Sequence, residues 1–206
     1  MKWPAGCCHV RPANRLWRED GYFMNIRAVV SGVIAVGVLL LVYPVVGAMS
    51  AELSPIPSGA VACEGSVYTV DPDPKGTNVR SAPQKKSPVL IVIPNDPEAT
   101  VVELSASFED WVLIHSAQGI ASGFRFQGEG WVHAPLLAVR AVHRTGRKVP
   151  LYSKPDTGSS VIEIYAGETE ARLAGCMGRW MQVRIGKQKG WLAPGDYCGN
   201  PVTTCP

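Results

Sequence analysis

Beyond Ala60 the chain breaks into short apolar runs of strand length, each closed by Gly, Pro, Asn or Asp. Val89-Leu90-Ile91-Val92-Ile93, Thr100-Val101-Val102-Glu103-Leu104, Trp111-Val112-Leu113-Ile114-His115 and Gly130-Trp131-Val132 form a first group. Val149-Pro150-Leu151-Tyr152, Val161-Ile162-Glu163-Ile164-Tyr165, Glu170-Ala171-Arg172-Leu173-Ala174, Trp180-Met181-Gln182-Val183-Arg184 and Gly190-Trp191-Leu192 form a second. No stretch of this region sustains a helical period, so the pattern predicts an all-β body of small sandwiches or barrels.

The two groups share landmarks. Ser81-Ala82-Pro83 aligns with Ser153-Lys154-Pro155, Trp111 with Trp180, and Gly130-Trp131 with Gly190-Trp191. The first group carries extra length between its two tryptophans, in Gly119–Gly130. This predicts an internal repeat with boundaries at residues 61–139 and 148–206, joined by a basic linker at 140–147. A Pro/Ser/Gly linker at 49–60 precedes them.

Residues 1–48 are an N-terminal extension of another kind. Ala28 to Ala48 runs for twenty-one residues without a charge, long enough to span a bilayer as a helix. Met24-Asn25-Ile26-Arg27 gives a positive lead, Pro44 breaks the run, and Val46-Gly47-Ala48 offers small residues for cleavage. These features favour a signal peptide cut near Ala48 over a membrane anchor, and so a periplasmic or secreted body. The anchor alternative puts the same body outside the inner membrane. Residues 1–23 resemble neither a signal lead nor an anchor, and translation from Met24 accounts for them more simply than a tail bearing Cys7-Cys8.

Composition narrows the classes further. Among 206 residues, 46% are hydrophobic and 18% charged, a globular balance that excludes a disordered chain. The 21 glycines and 17 prolines suit many turns. The formal charge of +3 resides in the extension, because 15 of the 20 Lys plus Arg and 15 of the 17 Asp plus Glu lie beyond Ala48. A neutral body argues against nucleic acid as a partner. Downstream of the apolar run, Cys63, Cys176, Cys198 and Cys205 lack zinc spacing and read as two disulfides in an oxidising compartment, with all three pairings open. No cofactor and no metal is implied, since neither His115 nor His133 has a second ligand at a suitable spacing.

The landmarks carry a resemblance. Asn78-Val79-Arg80-Ser81-Ala82-Pro83, Trp111-Val112-Leu113-Ile114 and Gly130-Trp131-Val132 resemble the opening, middle and closing motifs of the bacterial SH3-type domain. Leu151-Tyr152-Ser153-Lys154-Pro155, Trp180-Met181-Gln182-Val183 and Gly190-Trp191-Leu192 are similar in a second copy. There Tyr152 stands where the family has Arg. The resemblance covers roughly residues 66–137 and 148–198. It implies two small five-strand barrels in tandem acting as envelope targeting or adaptor modules, but the family label alone does not name a ligand.

The resulting expectation is a non-catalytic module that binds cell-wall peptide or glycan, or an envelope protein. Its membrane contact is limited to an uncleaved N-terminal segment. Candidate ligand-binding residues are Trp111, Trp131, Trp180 and Trp191, whose flat faces suit sugars or extended peptides. To these are added Tyr152 and the hairpin residues Phe124, Arg125 and Phe126. Barrel core is the competing role for the tryptophans, and folding back over the barrel end competes for the two phenylalanines. The rival classes are a membrane-anchored sensor or structural protein and a thiol-dependent peptidase.

Overall fold

In the computed structural model, residues 52–203 are described, and they fall within one compact unit spanning residues 47–206. The apolar run, Cys7, Cys8 and Cys205 lie outside the described residues. Among the described residues there are thirteen strands, one short 3-10 helix (Ala134–Leu136) and no α-helix. The strands are β1 (Val61–Thr69), β2 (Thr77–Arg80), β3 (Val89–Ile93), β4 (Thr100–Phe108), β5 (Trp111–Gly119), β6 (Arg125–His133) and β7 (Leu137–Ala141). They continue with β8 (Val149–Tyr152), β9 (Val161–Tyr165), β10 (Thr169–Met177), β11 (Trp180–Ile185), β12 (Gln188–Leu192) and β13 (Tyr197–Cys198).

The ladder is one open sheet in the order β3-β2-β6-β5-β4-β1-β7-β10-β11-β12-β8-β9, with β13 on β7. On either side of the central β1–β7 pair the order is the same, β4-β5-β6-β2-β3 and β10-β11-β12-β8-β9. The two closed barrels expected from sequence are therefore not what the hydrogen bonds describe. The free edge of β4 is taken by β1 (Val67 opposite Val102), and that of β10 by β7 (Ala171 opposite Val139). Strand β7 also meets β1 at Ala138 and Leu137 and β13 at Ala141 and Arg140. The basic 140–147 segment thus begins as strand, with Arg140 and Ala141 in β7.

Period-two burial explains the strands. In β11, Met181, Val183 and Ile185 point inward while Trp180, Gln182 and Arg184 face out. The inward side chains, with Val67, Val79, Val102, Leu104, Leu151, Leu173 and Leu192, form one core that runs through both halves of the sheet. Glycine before tryptophan has a steric cause in each half. A Cβ at Gly130 would collide with Val79, and one at Gly190 with Leu151 and the Tyr152 carbonyl. The bare backbone lets β2 and β8 cross closely while the next residue turns its indole outward.

Cys63 of β1 is disulfide-bonded to Cys176 of β10, across 113 residues of chain. The bond ties the start of the body to the second half. Beside it the Glu64 N–H donates to Gly178 O (2.8 Å) and the Gly178 N–H to Ala62 O (3.0 Å). Closing a loop of about 100 residues removes unfolded-state entropy worth about 4.7 kcal/mol in the chain-entropy view, and native disulfides contribute about 2–5 kcal/mol. Paired Cys63→Ser and Cys176→Ser substitution is expected to lower unfolding free energy by about 2–5 kcal/mol. Urea denaturation with and without reductant checks this, and the double variant should be insensitive to reduction at this bond.

Candidate functional site: an open aromatic face

The outward side of each half carries aromatic residues at corresponding ladder positions. In the first half Trp131 lies opposite Leu113 and Arg80, and Trp111 lies opposite Phe108 and His133. In the second, Trp191 lies opposite Gln182 and Tyr152, and Trp180 opposite Met177. Residues opposite one another in a ladder share a face. Position by position, Trp111 corresponds to Trp180, Leu113 to Gln182, Trp131 to Trp191, Phe108 to Met177 and Arg80 to Tyr152.

The two faces differ in what lies on them. On the first, Trp111, Leu113, Trp131 and Ala106 form a buried cluster, against which Leu53, Ala60 and Phe108 pack. The segment read as a free linker thus lies on the sheet. Its Ser54 N–H donates to Ser81 O (2.8 Å), and the Ala60 N–H closes a turn onto Pro57 O (3.1 Å). Trp131 is fully buried, with its indole N–H lacking an acceptor. The Trp111 and His133 rings meet at a tilt of 57° with centroids 5.2 Å apart. Neither tryptophan offers a free surface, so the core role describes both.

The second face has no such cover among the described residues. Trp180, Gln182, Trp191 and Tyr152 are half-buried, and Met177 is 42% exposed. Tyr152 and Trp180 meet edge to face, with centroids 5.6 Å apart and planes 80° apart. Beside them Arg184 lies directly opposite Lys189, both exposed. Like charges in opposed positions destabilise a sheet. Neither cation enters an ion pair among the described residues. The outcome is an aromatic surface bordered by two uncompensated cations. Met177, Gln182, Arg184 and Lys189 were missed from sequence, although the alternation Trp180-Gln182-Arg184 was the signal that places them there.

The hairpin rings pack inward. Phe124 and Phe126 pack against the main core, leaving Arg125 and Gln127 exposed on the other side. Of the two roles weighed for these rings, their packing is that of folding back over core, with both partly buried. Asp96 anchors this hairpin, accepting from the backbone N–H groups of Glu98 (2.9 Å), Ala121 (3.1 Å) and Ser122 (2.7 Å). Partial desolvation works to raise its pKa, but the hydrogen bonds from Ser122, Glu98 and Ala121 prevail and hold it well below the usual carboxylate range. The acidic turns Asp71 and Asp73 are likewise used locally, by the N–H groups of Asp73 and Lys75.

The basic segment is partly consumed by the fold. Arg140 pairs with Glu168 (2.9 Å) and donates to Pro201 O (2.8 Å), and Arg147 pairs with the buried Asp196. A thiol mechanism finds no nucleophile among the described cysteines. Cys63 and Cys176 are bonded to each other, and Cys198 is also disulfide-bonded.

His133 supplies a pH-dependent test of the covered face. Its burial, and then the nearby Lys85 charge, lower its pKa below the ordinary 6.5, with Asp110 opposing. A depressed folded-state pKa gives stability that is complete above the unfolded value and lost as pH falls through the folded one. Unfolding free energy should therefore fall on acidification below about pH 6.5. His133→Gln should flatten that loss, as read by urea denaturation at pH 7.5, 6.0 and 5.0 with tryptophan fluorescence.

Compared with known proteins, the chain matches no curated protein. Against known families, residues 145–195 match the bacterial SH3 domain, a span that contains β8 to β12 and every aromatic residue of the open face.

Proposed function

We propose that the protein is an exported, non-catalytic binding module of the bacterial cell envelope. It recognises cell-wall peptide or glycan, or an envelope protein, through the open face of its second half. The observation that carries this reading is Trp180, Trp191 and Tyr152, each partly exposed, beside the exposed Arg184 and Lys189, inside the residues that match a bacterial SH3 domain. Domains of this family commonly bind cell-wall components, and a half-exposed indole next to a cation suits both sugar rings and acidic peptides.

The remaining parts of the reading follow from sequence. The first half is a second, diverged copy of the same module, whose binding face is filled by the chain itself. The body works outside the cytoplasm, where disulfides persist. The run Ala28–Ala48 brings it there and is removed near Ala48. Retention of that run in the mature protein would instead make it an anchored extracytoplasmic sensor or structural protein.

Co-sedimentation of the full chain with purified cell-wall material tests the reading. Trp191→Ala should weaken retention by about 2 kcal/mol, roughly 30-fold, as loss of a central aromatic contact does. The fold should remain intact, because this indole is half-exposed. Trp131→Ala should act differently, destabilising the fold by about 3–5 kcal/mol as a buried aromatic truncation. Absence of retention by the unsubstituted chain would count against wall material as the ligand.

A further inference from the structure

The first half shows what fits on a face of this kind. Residues 53–60 (Leu-Ser-Pro-Ile-Pro-Ser-Gly-Ala) pass over it as a strap that ends in a turn at Pro57–Ala60, placing Leu53 and Ala60 against the tryptophan cluster. A single backbone hydrogen bond, Ser54 N–H to Ser81 O (2.8 Å), fixes the strap's height along the sheet. Two prolines suit such a strap, since they favour extended backbone and carry no N–H to leave unpaired.

The second half has the corresponding receptor parts, with no counterpart of the strap among the described residues. Ser153 is the counterpart of Ser81. Each follows the last residue of its strand, and each donates its N–H to the start of the next strand, Ser81 to Pro88 O (3.0 Å) and Ser153 to Ser160 O (2.9 Å). The Ser81 carbonyl accepts from the strap, whereas the Ser153 carbonyl accepts no such bond among the described residues. Trp191 and Trp180 replace Trp131 and Trp111, half-exposed where their counterparts are buried. Charge is where the faces part. Counted along the chain from the tryptophans, Arg184 and Lys189 correspond to His115 and Glu129, where the first half has a register shift, so the second face alone presents two opposed cations without an ion pair among the described residues.

We propose that the face formed by Tyr152, Met177, Trp180 and Trp191 docks an extended, proline-containing, acidic segment of a partner protein, laid down as residues 53–60 lie on the first half. An aliphatic side chain of the segment sits between Trp180 and Trp191. One of its backbone N–H groups donates to Ser153 O, and a carboxylate meets Arg184 and Lys189. This deepens the binding-module reading and rests on it.

The probe is an acetylated and amidated peptide with the sequence of residues 52–60, which brings Glu52 next to Leu53. It is titrated into the full chain while tryptophan fluorescence and the amide resonances of residues 152–155 and 180–191 are followed. The expected result is saturable binding that shifts those resonances. Trp191→Ala should weaken it by roughly tenfold or more, and Trp191→Phe should recover most of the loss. Arg184→Glu with Lys189→Glu should also weaken it, and should remove its salt dependence. Circular dichroism and thermal unfolding of each variant separate loss of the site from loss of the fold.

No saturable shift at millimolar peptide overturns the proposal. So does binding unaffected by Trp191→Ala, which would put the peptide on the first half. Retention on wall glycan that depends on Trp191 and is not competed by the peptide overturns the peptide mode while leaving the binding-module reading standing. Failure of both the peptide and wall material removes both. A dimer in sedimentation that dissociates on Trp191→Ala also overturns it, by giving the face to a second copy of the chain.

Discussion

The structure depends on the β1–β7 junction at its centre, through which the two halves of the sheet are continuous. The first half completes its ladder with its own β1 on β4, whereas β10 of the second half is completed by β7 of the first, and β1 and β7 are themselves hydrogen-bonded. An unpaired strand edge in either half would expose a row of backbone donors and acceptors. The Cys63–Cys176 bond sits at the end of this junction and fixes β1 against β10. Because the junction is continuous, the interior is a single core rather than two small ones, which eases the stability problem of domains near sixty residues. The outer ends of the sheet, β3 and β9, remain edges and carry exposed Val89, Val92, Val161, Ile162 and Ile164.

Two outer faces with corresponding ladder positions have been put to unequal use. Covering the first with residues 53–60 removes Trp131 from water entirely, a gain of about 25 cal/mol per Å² of apolar area. Part of that gain is offset, because the buried indole N–H of Trp131 has no acceptor, at a cost of about 1–3 kcal/mol. The second face keeps its indoles half-exposed and replaces Leu113 and Phe108 with Gln182 and Met177. A flexible thioether and an amide on an exposed sheet suit an adaptable contact better than a core.

Much of this was legible in the sequence, and the parts that were not have physical causes. Turn residues between short apolar runs fixed the all-β class, and Gly-Trp at 130–131 and 190–191 marked two places where strands cross closely. The pairing of β7 with β10 was hidden, since pairing between distant segments leaves no local pattern. Residues 53–60 read as linker because Pro, Ser and Gly dominate them, and a single packed leucine carries too little signal to reverse that. The hairpin phenylalanines had the right alternation for either role; only the core beneath them decides that they pack. The cations at 184 and 189 are far apart as a motif and become neighbours only through the β11–β12 register.

One aromatic face is closed by the chain, and its counterpart is left open by the described residues. Hydroxyl-radical footprinting of the intact, oxidised protein, read by mass spectrometry at each tryptophan, tests it most directly. Ready oxidation of Trp180 and Trp191 together with Met177 is expected, with protection of Trp111 and Trp131. Equal labelling of Trp131 and Trp191 under conditions where the protein remains folded would contradict it.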